Sequence, residues 1–349
     1  MTTTPHPLVT TAQRLARDLL VPQAERVDQE GVPPGHIEAV RRSGLLGVAA
    51  PAEYGGAGAP AAVARRTAEV LAGACCSTWF VQTQHHTPVK MLTGHDGPVR
   101  ERLLRPLATG ELMAGIAYAH VRAFPRVPVR AAPERGGWRF DGRVPWYTGW
   151  GLNDVMLLAG VTDSAELVFA FADAREQPGL VASAPMRLAA LTAARTVSLD
   201  LDGLWVPQES VVRRVPQAEF AEEDLARAAN AGPAVFGVAD AALELVARGA
   251  DGEEPARALR VRLDEVRRQA YALADEPATR ECVARRLAVR TRAYDVMRAA
   301  TAAAVVAGGG RAMALDNRAQ RLAREGMFLL IQGQTPDARR THLGSLATG

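Results

Sequence analysis

The stretch VPWYTGWGLND, residues 144–154, concentrates aromatic side chains in a chain that has few of them. Aromatic residues are 5% of the 349, yet Trp146, Tyr147 and Trp150 lie within five positions of one another. The apolar run VMLLAG follows directly. Flat rings beside a buried strand indicate either the cover of an exposed sheet or the wall of a site for a planar ligand.

The sequence around this stretch has the period of β-structure from residue 113 to residue 214. WRFDGRV, DVMLLAGVT, LVFAFAD and RTVSLDLDGLWVP alternate in polarity or run apolar over short lengths. Turns are expected at the Asp-Gly pairs of residues 141–142 and 202–203. A small barrel or sandwich of about a hundred residues is predicted here.

Helical patterns flank this β zone on both sides. Residues 1–112 read as short helices separated by glycine and proline breaks. Residues 215–349 contain four longer patterns, at 223–249, 255–275, 277–310 and 317–332, the last with Asn317 as its N-cap. Long helices in series predict an antiparallel bundle. The predicted fold is therefore α+β, with a helical domain (1–112), a β-barrel or sandwich domain (113–214) and a C-terminal four-helix bundle (215–349).

Composition excludes several classes of function. The net charge is only +3, Lys90 is the single lysine, and the arginines alternate with acids. This pattern is typical of solvated helix faces in a protein from a GC-rich, bacterial genome, and it argues against nucleic-acid binding. No apolar run reaches the roughly 18 residues of a membrane span. Three cysteines without zinc spacing suggest a reducing compartment. We therefore expect a cytoplasmic protein without a secretion signal at residues 1–11.

Five segments, in order, resemble motifs of the acyl-CoA dehydrogenase superfamily. They are LLGVAAPAEYGGAG (45–58), LLRPLATGELMAGIA (103–117), VPWYTGWGLNDVMLLAG (144–160), LWVPQESVV (204–212) and NRAQRLARE (317–325). The resemblance covers nearly the whole chain. It implies an FAD site in which Trp146 packs against the flavin ring, while the hydroxyl and amide of Thr148 bond toward the flavin N5 edge.

The family's catalytic base is missing from this sequence. In the classical enzymes a glutamate near the C-terminus removes the α-proton of the acyl thioester. The matching stretch here is IQGQTPDARR, and Gly333 stands in the place of the glutamate. Some relatives place the base in the first bundle helix, where Asp224 is the candidate. The simpler interpretation of Asp224 is a charge on a solvated helix turn.

The cofactor motifs are also altered. YAHVRAFPR replaces the segment that holds the pyrimidine end of the flavin, and His120 lies near its threonine position. An imidazole there would bond the flavin O2 edge, polarise a substrate oxygen, or simply line a barrel mouth. An arginine–phenylalanine–glycine motif of relatives is absent. Gly309 and Gly310 either approach a pyrophosphate or end a helix.

Three functions stay open at this stage. The first is a flavin-dependent oxidoreductase acting on an acyl thioester or small molecule, other than a standard fatty acyl-CoA dehydrogenase. The second is a monooxygenase that takes reduced FMN or FAD as co-substrate. The third is a non-catalytic partner subunit. A homodimer or homotetramer, or a heteromer with a second chain of this family, is expected. The adjacent His85 and His86 point apart on a helix, so no metal site is predicted; one should line a cavity and the other be solvated.

Overall fold

Seven α-helices form the N-terminal part of the chain. The structure is a computed structural model and describes residues 5–348. The expectation that residues 1–11 hold no secretion signal therefore concerns residues that lie partly outside the described range. The helices are α1 (Pro7–Leu15), α2 (Val21–Glu30), α3 (Pro34–Arg42), α4 (Ala61–Ala74), α5 (Cys76–Thr83), α6 (His86–Thr93) and α7 (Pro98–Thr109).

Two of the helices expected in this part are interrupted. Between α1 and α2 the turn over residues 16–20 widens to a π-helix just before Pro22, which has no N–H to continue the α-helical ladder. Between α4 and α5, Cys75 adopts extended backbone angles (φ −154°, ψ 100°). Cys75 and Cys76 are both buried and lie at this helix break.

Eight strands form one mixed sheet in the middle of the chain. They are β1 (Ala114–Ala117), β2 (Val129–Glu134), β3 (Gly137–Tyr147), β4 (Val155–Val161), β5 (Glu166–Asp173), β6 (Leu180–Ala182), β7 (Val197–Pro207) and β8 (Val211–Pro216). The order is β6-β7-β3-β2-β4-β5-β8, with β1 parallel to β4. All seven residues of β4 are buried, so this strand is covered on both faces.

Six helices follow the sheet. They are α8 (Gln217–Ala228), α9 (Pro233–Arg248), α10 (Glu253–Asp275), α11 (Val283–Gly308), α12 (Arg318–Ile331) and α13 (Pro336–Thr348). The single helix expected over 223–249 is wrong, because α8 ends at Ala228 and α9 begins at Pro233, with Gly232 as its N-cap. The N-cap at Asn317 is confirmed, since its side chain accepts a hydrogen bond from the amide of Ala319. Helix α13 was not expected.

The largest hydrophobic core joins the two ends of the chain. It contains buried residues of α1–α5 together with those of α9–α12. Helices α4 and α9 approach closely, and a Cβ added to Gly237 would lie 2.1 Å from the Glu69 carbonyl oxygen. A second core packs α6 and α7 on β4, β5 and β8. The order of helices, sheet and helices is confirmed. The division at residues 112 and 214 stays a prediction.

Two arginines are completely buried, against the expectation that arginines are solvated. Arg286, 1% exposed, donates to the carbonyls of Ala226 and Leu273, the last turns of α8 and α10. Arg321, also 1% exposed, pairs with Glu325 at 2.7 Å. Positive charge at helix C-termini is favourable, so Arg286 ties two helix ends together. No helix in residues 5–348 is long and apolar enough to cross a membrane.

Candidate functional site

Three cavities meet around one side chain, Arg122. The ring cavity, about 720 Å³, includes His120, Trp146, Ile331, Gly333 and Thr335 in its wall. The basic cavity, about 600 Å³, includes Lys90, Arg213, Arg227, Arg290 and Gly333. The side cavity, about 510 Å³, includes Phe124, Asp224, Thr335 and Asp337. Arg122 contributes to all three, so it stands at their junction.

Only one ring of the aromatic stretch faces the ring cavity. Trp146, at the end of β3, is 54% exposed and lines this cavity. Tyr147 points to the opposite face, as alternation on a strand requires, and is fully buried in the sheet core. Trp150 packs edge-on against Tyr147, with ring centroids 5.9 Å apart. The three aromatics therefore do not form one surface.

Thr148 follows the last residue of β3 and is buried. Its hydroxyl is 3.2 Å from that of Thr196, and its carbonyl accepts a hydrogen bond from Asn153 at 2.9 Å. When two hydroxyl groups form a hydrogen bond, one donates its proton and the other accepts. The accepting hydroxyl keeps its own proton for a further hydrogen bond. The hydrogen bond from the Thr148 hydroxyl toward the flavin N5 edge stays a prediction.

His120 presents a hydrogen-bond acceptor that has no partner within residues 5–348. Its Nε2 lies 3.0 Å from the carbonyl oxygen of Ala159, so Nε2 carries the proton. Burial lowers the pKa of His120 to about 4, and the ring is therefore neutral at physiological pH. Nδ1 is then an unprotonated acceptor, buried and unpaired. In this tautomer Nδ1 has no proton to donate to a carbonyl oxygen; the expected bond to the flavin O2 edge stays a prediction.

Asp224 is buried and bound to Arg122. The Nε and Nη2 atoms of the guanidinium donate to the two carboxylate oxygens at 2.6 and 2.9 Å. Burial disfavours the charged form of Arg122, but the ion pair outweighs this and raises its pKa above the ordinary value. The interpretation of Asp224 as a solvated charge is therefore wrong. As it stands, one arginine engages both oxygens of the candidate base.

Gly333 lies on the wall between the ring cavity and the basic cavity. Its φ is +62°, a conformation that favours glycine. No atom lies within 4 Å of the place that a Cβ would take. The position that the sequence matches to the catalytic glutamate thus faces the site, with open space and no functional group.

The remaining candidates lie away from these cavities. Gly309 and Gly310 are exposed at the end of α11, and no described cavity includes them. His85 is buried, lying 3.1 Å from both the Leu107 carbonyl oxygen and the Ala114 amide, and His86 is half-buried beside Gln82. The expectation that one of these histidines is solvated is wrong. In residues 5–348 no group of three or more metal-binding side chains is found.

Sequence reasoning missed most of the basic cavity. In the sequence, Lys90 stands out only as the single lysine, and Arg122 is only one residue of the altered YAHVRAFPR motif. Arg213 and Arg290 lie about 80 residues apart on β8 and α11. No local pattern brings such positions together, because it is the packing of α8 and α11 that does so.

The comparisons with known proteins agree with this architecture. Residues 3–111 match the family model described as acyl-CoA dehydrogenase, N-terminal domain. No curated protein matches the chain. Among solved structures, butyryl-CoA dehydrogenase from Megasphaera elsdenii is similar, with TM-score 0.83, 15% identity and coverage of 99% of this chain and 100% of that one.

Two further structures are similar over nearly the whole length of both chains. Glutaryl-coenzyme A dehydrogenase in complex with glutaryl-CoA has TM-score 0.80 and 18% identity, covering 100% of this chain and 98% of that one. PigA with FAD and proline has TM-score 0.80 and 17% identity, covering 99% of both chains. At these identities the likeness shows the fold.

Proposed function

We propose that the chain is a flavin-dependent oxidoreductase of the acyl-CoA dehydrogenase superfamily. Residues 3–111 match the family's N-terminal domain, and the fold is similar to that of solved acyl-CoA dehydrogenases over the whole length. The proposed substrate is an acyl thioester or a related small molecule. The observation that carries the proposal is the ring cavity, whose lining includes both Trp146 and His120.

The residues present fit an isoalloxazine ring. The ring cavity of about 720 Å³ lies within the usual range for cofactor sites, about 300–1,000 Å³. The Trp146 indole supplies an apolar wall. The neutral His120 ring supplies an acceptor that suits the N3–H of a flavin. It has no free N–H that could donate a hydrogen bond to the flavin O2 atom. When bound, a flavin would supply a two-electron acceptor next to Gly333. FAD is the proposed cofactor, and one of the similar structures contains it.

The proton chemistry of the site argues against ordinary acyl-CoA dehydrogenation. Gly333 has no side chain to accept an α-proton, and both oxygens of Asp224 are held by Arg122. A well-placed general base contributes roughly 10² to 10⁴ in rate. This observation favours a second candidate, a monooxygenase that uses reduced flavin, because oxygen insertion needs no α-proton acceptor at that position.

The test of the proposal is flavin binding by the purified protein. We expect the visible absorption of a bound flavin, or saturable binding of added oxidised or reduced FAD, measured by fluorescence quenching. Trp146→Ala should weaken this binding about tenfold, the size of a lost aromatic stacking contact. Trp205→Ala is the matched control, since Trp205 is similarly exposed (48%) but lines a different cavity.

Two outcomes would count against this function. If neither oxidised nor reduced flavin binds, the chain is the non-catalytic partner subunit of the third alternative. If Trp146→Ala and Trp205→Ala weaken flavin binding equally, the ring cavity is not the flavin site. A preference for reduced over oxidised flavin would identify the monooxygenase.

We further propose that the chain assembles with itself as a dimer or tetramer. Among the apolar residues of α11 and α12, Leu287, Met297 and Leu329 are all buried within one chain. The last helices nevertheless leave Met327, Ile331 and Leu343 between 49% and 64% exposed. Exposed apolar groups of this size favour association. A monomeric mass by light scattering at micromolar concentration would exclude this assembly.

A further inference from the structure

We propose that the substrate carries an oxyanion, a carboxylate or a phosphate, and that the basic cavity binds this group through Arg290 and Lys90. The proposal rests on the proposed function, since it treats the basic cavity as the substrate side of the flavin site. Gly333 lies on the wall of both the ring cavity and the basic cavity, so a molecule in the basic cavity would reach the flavin ring that we propose for the ring cavity.

The charges of the basic cavity do not balance. Its wall includes five cationic side chains: Lys90, Arg122, Arg213, Arg227 and Arg290. In residues 5–348 only two carboxylates form ion pairs with these five side chains. Asp224 binds Arg122, and Glu223 is shared by Arg213 at 2.9 Å and Arg227 at 3.3 Å. Excess positive charge in a concave, partly dry site attracts anions strongly.

Arg290 is the buried member of this set that has no counter-ion. It is 8% exposed, and its Nη1 atom donates to the carbonyls of Ala228 and Asn230 at 3.1 and 3.0 Å. Its Nη2 atom lies 3.4 Å from the Gln332 carbonyl oxygen, and its guanidinium lies over the Tyr294 ring at 4.6 Å. These neutral groups fix and partly stabilise the cation, but no carboxylate in residues 5–348 pairs with it, so an anionic ligand would supply the missing counter-charge.

Lys90 adds a second uncompensated charge where the cavity opens. It is exposed on α6 and makes no ion pair with any of residues 5–348. Between these cations the wall is apolar, with Met91, Tyr118 and Phe220. A wall of this kind suits a ligand that has a short apolar part and a charged end.

The experiment is calorimetric titration with three small probes: glutarate, pyrophosphate and the neutral glutaramide. We expect at least one of the two anions to bind ten times more tightly than glutaramide. Lys90→Met should weaken that binding two- to fivefold, as for an exposed ion pair. Arg257→Met is the matched control, because this exposed arginine of α10 lies outside the cavity. Arg290→Gln should weaken binding at least tenfold.

The relative affinities identify the source of the anion. Tighter binding of glutarate indicates a carboxylate on the acyl group, and tighter binding of pyrophosphate indicates the phosphates of a thioester carrier. Equal binding of all three probes, or equal effects of Lys90→Met and Arg257→Met, would overturn the proposal. Should Arg290→Gln fail to fold, Lys90→Glu decides, since it touches no packing and must weaken anion binding more than Lys90→Met. Flavin binding is read separately in the visible spectrum, so the two proposals can fail independently.

Discussion

At the scale of single residues, the most informative position is the one where a side chain is missing. Gly333→Glu places a carboxylate between the ring cavity and the basic cavity, where no atom would oppose its Cβ. We expect it to dehydrogenate a simple acyl-CoA faster than the unchanged protein does, because a positioned base is worth roughly 10² to 10⁴ in rate. Reduction of bound FAD under anaerobic conditions is the measurement.

The control for this substitution is Gly333→Ala. Both replacements force an L side chain into a φ of +62°, which costs about 1–2 kcal/mol of folding stability, but only one carries a base. Rapid FAD reduction by an acyl-CoA in the unmodified protein would contradict the argument about this residue. So would equal activity of the glutamate and alanine variants.

The sequence could predict several residues that line the cavities but not how the charged ones pair. Trp146, His120 and Gly333 were found from motifs, and all three line the ring cavity. Asp224 was found too, but its partner Arg122 lies about a hundred residues earlier. The pairing depends on how α8 packs against the segment after β1, and no local periodicity reports that packing.

At the scale of the elements, the contact of α4 with α9 depends on two glycines. A Cβ on Gly237 would lie 2.1 Å from the carbonyl oxygen of Glu69, and one on Gly73 would lie 2.5 Å from that of Gly237. Gly237→Ala must therefore separate the helices, and we expect a loss of about 1–3 kcal/mol in the free energy of unfolding. Gly35→Ala is the control, because its Cβ would meet nothing within 4 Å.

Urea denaturation measures both variants. Gly35→Ala should be neutral or slightly stabilising, since alanine loses less backbone entropy than glycine in a helix. Equal stability of the two alanine variants would mean that the helices adjust without cost, and that the glycines are not required for this contact.

The periodicity of the sequence predicted which segments form helices and which form strands. It did not predict several of the residues at which these elements begin and end. The apolar pattern of residues 223–249 runs through the break at Gly232, because both α8 and α9 present apolar faces to neighbours. Periodicity reports the buried face of a helix and is insensitive to a change in helix direction. Proline after glycine was the available signal, and here it outweighed the pattern.

At the scale of the whole molecule, buried neutral histidines make stability depend on pH. Burial lowers the pKa of His85 to about 3 and that of His120 to about 4, from an ordinary 6.5. Between these values and 6.5 the unfolded chain binds protons that the folded chain does not. Stability therefore falls on acidification, by about 1.4 kcal/mol for each pH unit below 6.5 and each histidine.

Unfolding by urea at pH 7 and near pH 5.5 tests this dependence. Burial lowers the pKa of His86 to about 4 as well, so we expect the free energy of unfolding to fall by about 4 kcal/mol from these three histidines together. His120→Gln, whose amide can still donate to the Ala159 carbonyl, should remove about a third of the fall. If His120→Gln leaves the pH dependence unchanged, His120 is not the buried neutral group described here.

The core shared by the chain's two ends has a consequence for biosynthesis. Helix α4 ends at Ala74, and its partner α9 begins only at Pro233. At a synthesis rate of about 5–20 residues per second, the apolar faces of the first helices stay uncovered for on the order of 10 s. The nascent chain must remain soluble over this interval, so folding is completed only when the last helices leave the ribosome. Expression yield is thus expected to depend on chaperones that bind nascent chains.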